Sequence, residues 1–453
     1  MCGWILNGFG WPGRRVGRLA WAEGCARLAG GWVVGTEWGL LQLEVLAVFV
    51  FVYSAIALRR IGGFKFEVWT AMLVGAVALL AIGAMGLEEA IAAVNAEVIL
   101  FLLGTFLIVE AMVQVGLLQY LAVRFLGVAA TPRRLLLSVI AFVAASSAFF
   151  VNDAVVLVMT PIVIAACGIA KVRKTPYVLA VALSSNIGSA LTPIGNPQNV
   201  LIKIQSGVDT LLFMERMALP VALGCAAEYL VLSLIYRREV KGSFEMALPD
   251  PRKMLSSRSG AARVGAVAAA TVVAFLSADA IGWPIALVAL VGGTGALLLS
   301  RDRRQAIRGV DWGTIVFFAS MFVVMACVEK SGLLSGVIDF FRPTLFSKGP
   351  ESVVSIFGLS LVASQITSNV PFVAIMLPAF KAAGATPSQW VSLAAGSTLA
   401  GNLTLLGAAA NIIVLEAAEN KGVTFSFWEF LKAGAPTAIL TSAIAAASLS
   451  FIV

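Results

Sequence analysis

Long apolar runs separated by short polar connections dominate the chain. They fall at about 39–58, 68–87, 97–118, 177–202, 217–236, 264–281, 283–300, 313–331, 390–418 and 431–452. A helix needs roughly 20 apolar residues to cross a bilayer, so each run predicts a membrane-spanning helix. Short segments of strict alternation, the mark of a membrane barrel, do not occur. Two further runs, 135–168 and 353–380, have a different character. The first lies between Arg133-Arg134 and Lys171, Arg173 and Lys174, and its middle reads Phe149-Phe150-Val151-Asn152-Asp153. A single span would put one basic cluster outside, against the positive-inside bias. A hairpin that enters and returns keeps both clusters inside. Re-entrant helical hairpins are therefore expected at both runs.

The pattern repeats. Gly116-Leu117-Leu118 returns as Gly332-Leu333-Leu334, and Asn152 with Met159-Thr160-Pro161 returns as Asn369 with Met376-Leu377-Pro378. Near-complete internal repetition of this kind means a duplicated fold. Each half holds five crossings and one hairpin. Five is odd, so the second half starts on the opposite face and the repeat is inverted. The fold class expected is an all-α polytopic membrane protein. It has two inverted repeats, about 10–11 transmembrane helices, two re-entrant hairpins and two broken helices. Residues 39–236 form the first transmembrane repeat, 237–263 a cytoplasmic linker and 264–453 the second repeat. Residues 1–38, rich in Trp, Gly and Arg, read either as an interfacial segment or as a mis-started reading frame.

Composition agrees. The 453 residues are 60% hydrophobic and 12% charged, with a mean hydropathy of +0.96. A soluble chain carries about 25% charged residues. The net charge of +8 sits in short connections, where it orients helices in the membrane rather than binding nucleic acid. With residues 59–67 placed inside, 22 of the 32 Lys and Arg lie inside. The expected location is the cell membrane. Histidine is absent and the five cysteines show no metal or redox spacing. No phosphate-binding loop occurs, so energy must come from ion or solute gradients, or from a partner ATPase subunit. No cofactor is expected.

Candidate chemistry lies where two apolar runs are interrupted. Ser185-Asn186-Ile187-Gly188 through Thr192-Pro193-Ile194-Gly195-Asn196-Pro197-Gln198-Asn199 interrupts one, and Gly401-Asn402-Leu403-Thr404-Leu405-Leu406-Gly407 through Asn411 the other. Both contain Thr-x-x-Gly-x-x-x-Asn. Broken backbone at membrane depth must be buried in protein or line a polar cavity, and paired breaks point to a transporter's binding site. Helix N-termini exposed there suit an anion. Carbonyls and Asn or Thr oxygens suit Na⁺. The substrate-binding set expected is Asn152, Thr192, Gly195, Asn199, Asn369, Thr404, Gly407 and Asn411. The glycines would permit the turn and a close backbone approach. Asp153, Ser185, Asn186, Ser368 and Asn402 form the ion-coupling set, with Na⁺ or H⁺ as the ion. Small Gly, Ser and Thr residues also serve helix packing, but duplication of the whole pattern favours a site. Asp153 is equally readable as a cap on the second hairpin helix. Glu110 and Glu228 lie within spans and read as proton relays or as hydrogen-bonded structural groups. Glu97, Asp279, Asp311 and Glu416 lie nearer span ends and read as interfacial or capping.

On the motifs Asn152-Asp153 with Thr160-Pro161, Asn186-Ile187-Gly188 through Asn199, Ser368-Asn369-Val370-Pro371 and Gly401 through Asn411, the chain resembles the ion transporter superfamily. The branch it resembles is that of arsenite permeases and NhaD-type sodium/proton antiporters, with a citrate-transporter-like domain, over roughly residues 40–453. The Thr192–Asn199 stretch is most similar to uncharacterised anion permeases of that branch. The resemblance implies a homodimer, with a scaffold and a moving domain in each protomer and elevator-like alternating access. Dicarboxylate carriers of the superfamily carry Ser-Asn-Thr at both hairpin tips. Here the tips read Val151-Asn152-Asp153 and Ser368-Asn369-Val370, which argues against di- and tricarboxylates. The expected function is secondary transport of a small anion, arsenite-type oxyanions included. A Na⁺/H⁺ antiporter is the alternative. An intramembrane hydrolase lacks a second facing carboxylate or an activated serine, so no enzyme activity is expected.

Overall fold

The computed structural model describes residues 39–451 apart from 59, 62, 63, 66, 243–248 and 334. The reading of residues 1–38 lies outside the described residues. The chain divides into two units, 1–44 and 45–453. Of the first only the start of helix α1 is described, and the second carries everything below.

Twenty α-helices are present among the described residues, with a short 3-10 helix at Pro251–Met254. The first ten are α1 (Leu40–Leu58), α2 (Val68–Ala81), α3 (Leu87–Ala93), α4 (Ala96–Gln114), α5 (Leu117–Leu126), α6 (Pro132–Phe149), α7 (Asn152–Ile169), α8 (Thr175–Ser189), α9 (Pro197–Ser206) and α10 (Thr210–Ile235). The second ten are α11 (Arg258–Ile281), α12 (Ile285–Leu299), α13 (Arg303–Arg308), α14 (Trp312–Ser331), α15 (Ser335–Leu345), α16 (Pro350–Thr367), α17 (Asn369–Ala382), α18 (Pro387–Ala400), α19 (Ala409–Glu419) and α20 (Phe427–Ser450). An antiparallel ribbon of two residues per strand, Arg60–Ile61 with Phe64–Lys65, follows α1.

Every helix of the first ten has its counterpart ten helices later, 212 to 218 residues on. Packing is reciprocal as well. Helix α4 packs on α12 while α14 packs on α2, and α7 packs on α19 while α17 packs on α9. Exchanging the halves reproduces these pairs, as a pseudo-two-fold axis requires.

Both expected hairpins return. Tyr177, at the start of α8, donates its hydroxyl to Pro132 O at 3.1 Å, so the end of α7 comes back to the start of α6. In the second half Gln389 donates to Leu345 O and Ser347 O at 3.4 Å. The Phe380 ring lies between Phe346 and Trp390, at 5.1 and 5.0 Å. Helices α6 and α7 are each long and apolar enough to cross a membrane, but the reversal at Phe150–Val151 makes them the arms of a hairpin. The expected spans at 177–202 and 390–418 are each split, into α8 and α9 and into α18 and α19. Helices α2 and α12 are 14 and 15 residues long, shorter than the runs that predicted them. Positive-φ Gly83 follows α2, and extended Ser300 follows α12.

Contacts between connections respect one sidedness. Arg173 bridges Glu239 and Glu429 at 3.2 and 2.9 Å. Gln114 donates to Asp302 O at 3.2 Å. All of these lie on the side that the basic-residue bias assigns to the interior. On the other side Lys330 pairs with Glu89 at 2.7 Å, and the buried Lys203 pairs with Asp279 at 2.5 Å. No contact among these joins opposite faces. The outer faces of α10, α11 and α12 expose Leu219, Leu230, Leu234, Val273, Val291 and Leu298, as lipid contact demands.

The polar stretch after α10 ends sooner than its composition suggests. Ser257 caps α11 by accepting from Gly260 N at 3.2 Å, so residues 258–263 are helical. Just before, Met254 and Ser256 dock on the turn between α4 and α5. Ser256 N donates to Val115 O at 3.2 Å and Ser256 Oγ to Gln114 O at 2.9 Å. Gly116 in that turn has φ +73° and the Met254 backbone against its Cα, so both conformation and space require glycine.

The α4–α12 crossing rests on backbone against backbone. A Cβ on Gly293 would lie 2.6 Å from Gly104 O and 2.8 Å from Gly104 Cα. Small residues at membrane-helix contacts allow this approach. Gly293→Val is expected to separate the helices and to destabilise by about 1–3 kcal/mol or more, the usual cost of overpacking. A lower unfolding midpoint in detergent, relative to wild type, is the readout. An unchanged midpoint would place the crossing elsewhere.

Candidate functional site

The two breaks are closed by matched asparagines. Asn199 Nδ2 donates to Ser189 O at 3.2 Å and Thr192 O at 3.1 Å. Asn411 Nδ2 donates to Gly401 O at 2.7 Å and Thr404 O at 3.2 Å. Each asparagine stands on the helix after the break and takes up carbonyls freed from the helix before it. The spacing in Thr-x-x-Gly-x-x-x-Asn follows from this reach. Gly195 and Gly407 do not have positive φ, so the turn itself does not need them. Close approach does: a Cβ on Gly407 would lie 2.8 Å from Gly401 O and 2.9 Å from Gln365 Oε1. A Cβ on Gly195 would run into the Ser189 and Ser147 backbones.

Each hairpin tip is tied to the break of its own half. Asn152 N donates to Gly195 O at 3.0 Å, and the Thr192 hydroxyl to Ala148 O. In the second half the Asn369 amide, oriented to donate, reaches Ser397 O at 2.9 Å and Gly407 O at 2.8 Å. Thr404 Oγ1 donates to Gln365 Oε1 at 2.8 Å, and Gln365 Nε2 to Ala400 O at 2.8 Å. Straps then cross the pseudo-axis. Asn186 Nδ2 donates to Asn402 Oδ1 at 2.8 Å and Asn411 Oδ1 at 3.1 Å, and its Oδ1 accepts from Asn152 Nδ2 at 3.2 Å. Its counterpart Thr398 donates to Asn199 Oδ1 at 3.2 Å.

Beside this lattice lies a cavity of about 630 Å³, lined by both halves. The N-termini of α2, α7, α9, α14, α17 and α19 all reach it. Asn196 caps α9 through Asn199 N at 2.9 Å. Asp311 caps α14 through Thr314 N at 3.0 Å and Thr314 Oγ1 at 2.6 Å. Helices α2, α7, α17 and α19 have no side-chain cap, although the first amide of α7 is taken by Gly195 O, and their positive dipole ends lie at the cavity. Its charged lining is Glu67, Asp153, Asp311 and Glu416, with no Lys or Arg among the described residues. Asn152 Oδ1 is buried without a partner at the same wall. Ser368, at the second tip, has φ +66° and ψ 166°, a region otherwise reserved for glycine that costs about 1–3 kcal/mol.

Of the residues proposed from sequence, Asn152, Asp153, Ser368 and Asn369 line the cavity. Thr192, Gly195, Asn199, Thr404, Gly407 and Asn411, with Asn186 and Asn402, form the lattice behind it. Ser185 is buried and donates to Ala182 O of its own helix at 2.8 Å. Glu110 packs under Gly309 and within 3.5 Å of Gln114, away from the cavity. Gln198, Thr314, Gln365, Asp311, Glu416 and Glu67 are additions. Gln365 and Thr398 escape a search for identical repeat residues, because their counterparts are Ala148, acting through its backbone carbonyl, and Asn186.

Paired broken helices and hairpins meeting at a cavity between two repeats define a secondary transporter, an integral multi-pass membrane protein. The citrate transporter (CitMHS) family model matches residues 52–400, and the chain belongs to that family. It is 29% identical over 369 residues to a 46 kDa membrane protein of Mycobacterium leprae, covering 76% of this chain and 83% of that one. It is 27% identical over 376 residues to the silicon efflux transporter LSI3 of Oryza sativa subsp. japonica, covering 69% and 78%. Among solved structures it is similar to the Alcanivorax borkumensis YdaH transporter, whose topology is described as unusual. The TM-score is 0.54 at 14% identity, over 91% of this chain and 98% of that one.

Two variants separate lattice from cavity. Asn411→Ala strands the Gly401 carbonyl, while Thr404 O keeps its bond from Gly407 N, and is expected to cost about 1–3 kcal/mol for the group left unpaired, read as a lower unfolding midpoint. Ser368→Gly relieves the backbone and is expected to raise that midpoint. A fall in the Ser368→Gly midpoint would show that the tip is unstrained.

Proposed function

We propose that the protein carries a small anion across the membrane, an arsenite-type oxyanion or another inorganic or organic anion, coupled to Na⁺ or H⁺. The observation that carries this reading is the convergence on one cavity of four helix N-termini without a side-chain cap, those of α2, α7, α17 and α19. Backbone N–H groups there bind anionic oxygens without a cationic side chain. The four carboxylates in the lining set a limit: the solute is of low charge, or enters with a cation. Asn152 Oδ1 beside Asp153 supplies hard oxygen donors for such a cation. The relative named as a silicon efflux transporter supports a small inorganic solute. The branch of arsenite permeases and NhaD-type antiporters remains the expected kinship, and a homodimer the expected assembly.

Alternating access would move the hairpins and broken helices, α6 to α9 and α16 to α19, against α1, α2, α4, α11, α12 and α14. Glu67, Trp69, Asp311 and Trp312 belong to the ends of α2 and α14 that the basic-residue bias places inside. The cavity is thus read as facing the cytoplasm. The acidic lining without Lys or Arg favours the second reading, a Na⁺/H⁺ antiporter with no anion substrate.

Reconstituted protein on a solid-supported membrane separates the two. Na⁺ or pH jumps are applied with and without arsenite, sulfate, phosphate and carboxylates. A signal that requires one anion is expected; a signal from Na⁺ or pH alone would establish the antiporter. Asp153→Asn is expected to reduce ion-driven uptake by roughly tenfold or more, about 1.4 kcal/mol, while counterflow of the same anion persists. Loss of neither would remove Asp153 from coupling.

A further inference from the structure

Glu228 lies outside the cavity lining, on α10, where the chain carries a carboxyl with no structural task. Its side chain is fully buried, and neither carboxyl oxygen has a hydrogen-bond partner. One turn before it, Gly224 packs against Ile187 of α8 and Thr441 of α20. Glu228 therefore belongs to the seam between α10 and two helices, one of which is the first half of a broken helix. Its counterpart in the second repeat is Ala445, so the group breaks the duplication.

No counter-ion faces it. On α10 itself Cys225 is the titratable group beside it. Helix α8 contributes Tyr177, whose hydroxyl is engaged with Pro132 O, and α18 contributes no charged residue. Helix α20 carries Glu429, paired with Arg173 at 2.9 Å, and the exposed Lys432. Helix α6 carries Arg133 and Arg134, both exposed, and α11 carries the exposed Arg258 and Arg263. Asp279 of α11 binds Lys203 and accepts from Thr210 N at 2.7 Å, at the far end of α10.

An isolated carboxylate in such a place is far too costly to persist charged, and a neutral carboxyl without partners adds nothing to stability. An ionisable group inside the membrane is a candidate functional site by default. We infer that Glu228 is a proton-binding site, separate from the cavity, loaded as the neutral acid in this state and unloaded when the seam between α8 and α10 opens to water. The step moves one proton from water to a carboxylate oxygen and back, and needs no other reactant. It rests on the transporter reading and adds to it the identity of one coupled ion.

The test compares Glu228→Gln with wild type in proteoliposomes, for uptake driven by a pH difference and for counterflow at equal pH. The expected result is a loss of pH-driven uptake by tenfold or more, with counterflow preserved. Retained pH-driven uptake overturns the inference, as does loss of both activities in folded protein, which would make Glu228 structural. Wild type that shows counterflow but no response to pH overturns it while leaving the transporter reading intact; wild type with no counterflow of any tested anion defeats that reading instead. A variant-free measurement covers failure of the Gln variant to fold. Dicyclohexylcarbodiimide attacks protonated carboxyls in apolar surroundings, and peptide mass spectrometry locates the adduct. Label on Glu228 that fades at alkaline pH is expected, and its absence at every pH overturns the inference.

Discussion

Interrupting a helix inside a bilayer frees carbonyls on one side of the break and amides on the other, and no water is available to take them. This structure treats the two sets differently. Carbonyls at the ends of α8 and α18 are taken by Asn199 and Asn411. On the amide side α9 is capped by Asn196, whereas α7, α17 and α19 start at the cavity without a side-chain cap, the first amide of α7 going to Gly195 O. The positive ends of the helix dipoles are thereby concentrated on one wall. Every other feature of the site depends on this division.

The duplicated frame supplies symmetry, and the chemistry lies where symmetry fails. Asn199 and Asn411 make the same pair of bonds, and Gly195 and Gly407 the same close approach. The tips differ: Val151 is relaxed, whereas Ser368 has a backbone conformation of glycine type. Asp153 faces Val370 in the alignment of the halves, and Glu228 faces Ala445. For the proposed carrier of a solute and an ion, these departures supply the unlike groups that two unlike ligands would need.

Charge shapes the cavity in two opposed ways. Uncapped helix ends attract an anion, and Glu67, Asp153, Asp311 and Glu416 repel one. With no Lys or Arg among the described lining residues, the proposed solute is one of low charge or one that enters with a proton or a cation. Field and dielectric in a partly enclosed site make such terms large. The proposed coupling rests on this opposition: an anion is held better there when a cation is bound beside it.

The sequence by itself determined the spans, both hairpins, both breaks and the repeat. Each rests on local composition: apolar run length, Gly and Pro interruptions, and basic residues in connections are all set within one stretch of chain. Motif spacing also located Asn199 and Asn411, whose reach across a break is local. The tertiary structure decided which side chains face the cavity. Thr192, Asn199 and Asn411 turn inward to the backbone, whereas Asp311 and Glu416, near span ends, come round to the cavity wall through the packing of separate helices. Gln365 does with a side chain what Ala148 does with a carbonyl, so residue identity could not reveal it. Direction about a helix axis, and which helices become neighbours, depend on long-range packing that no local pattern encodes.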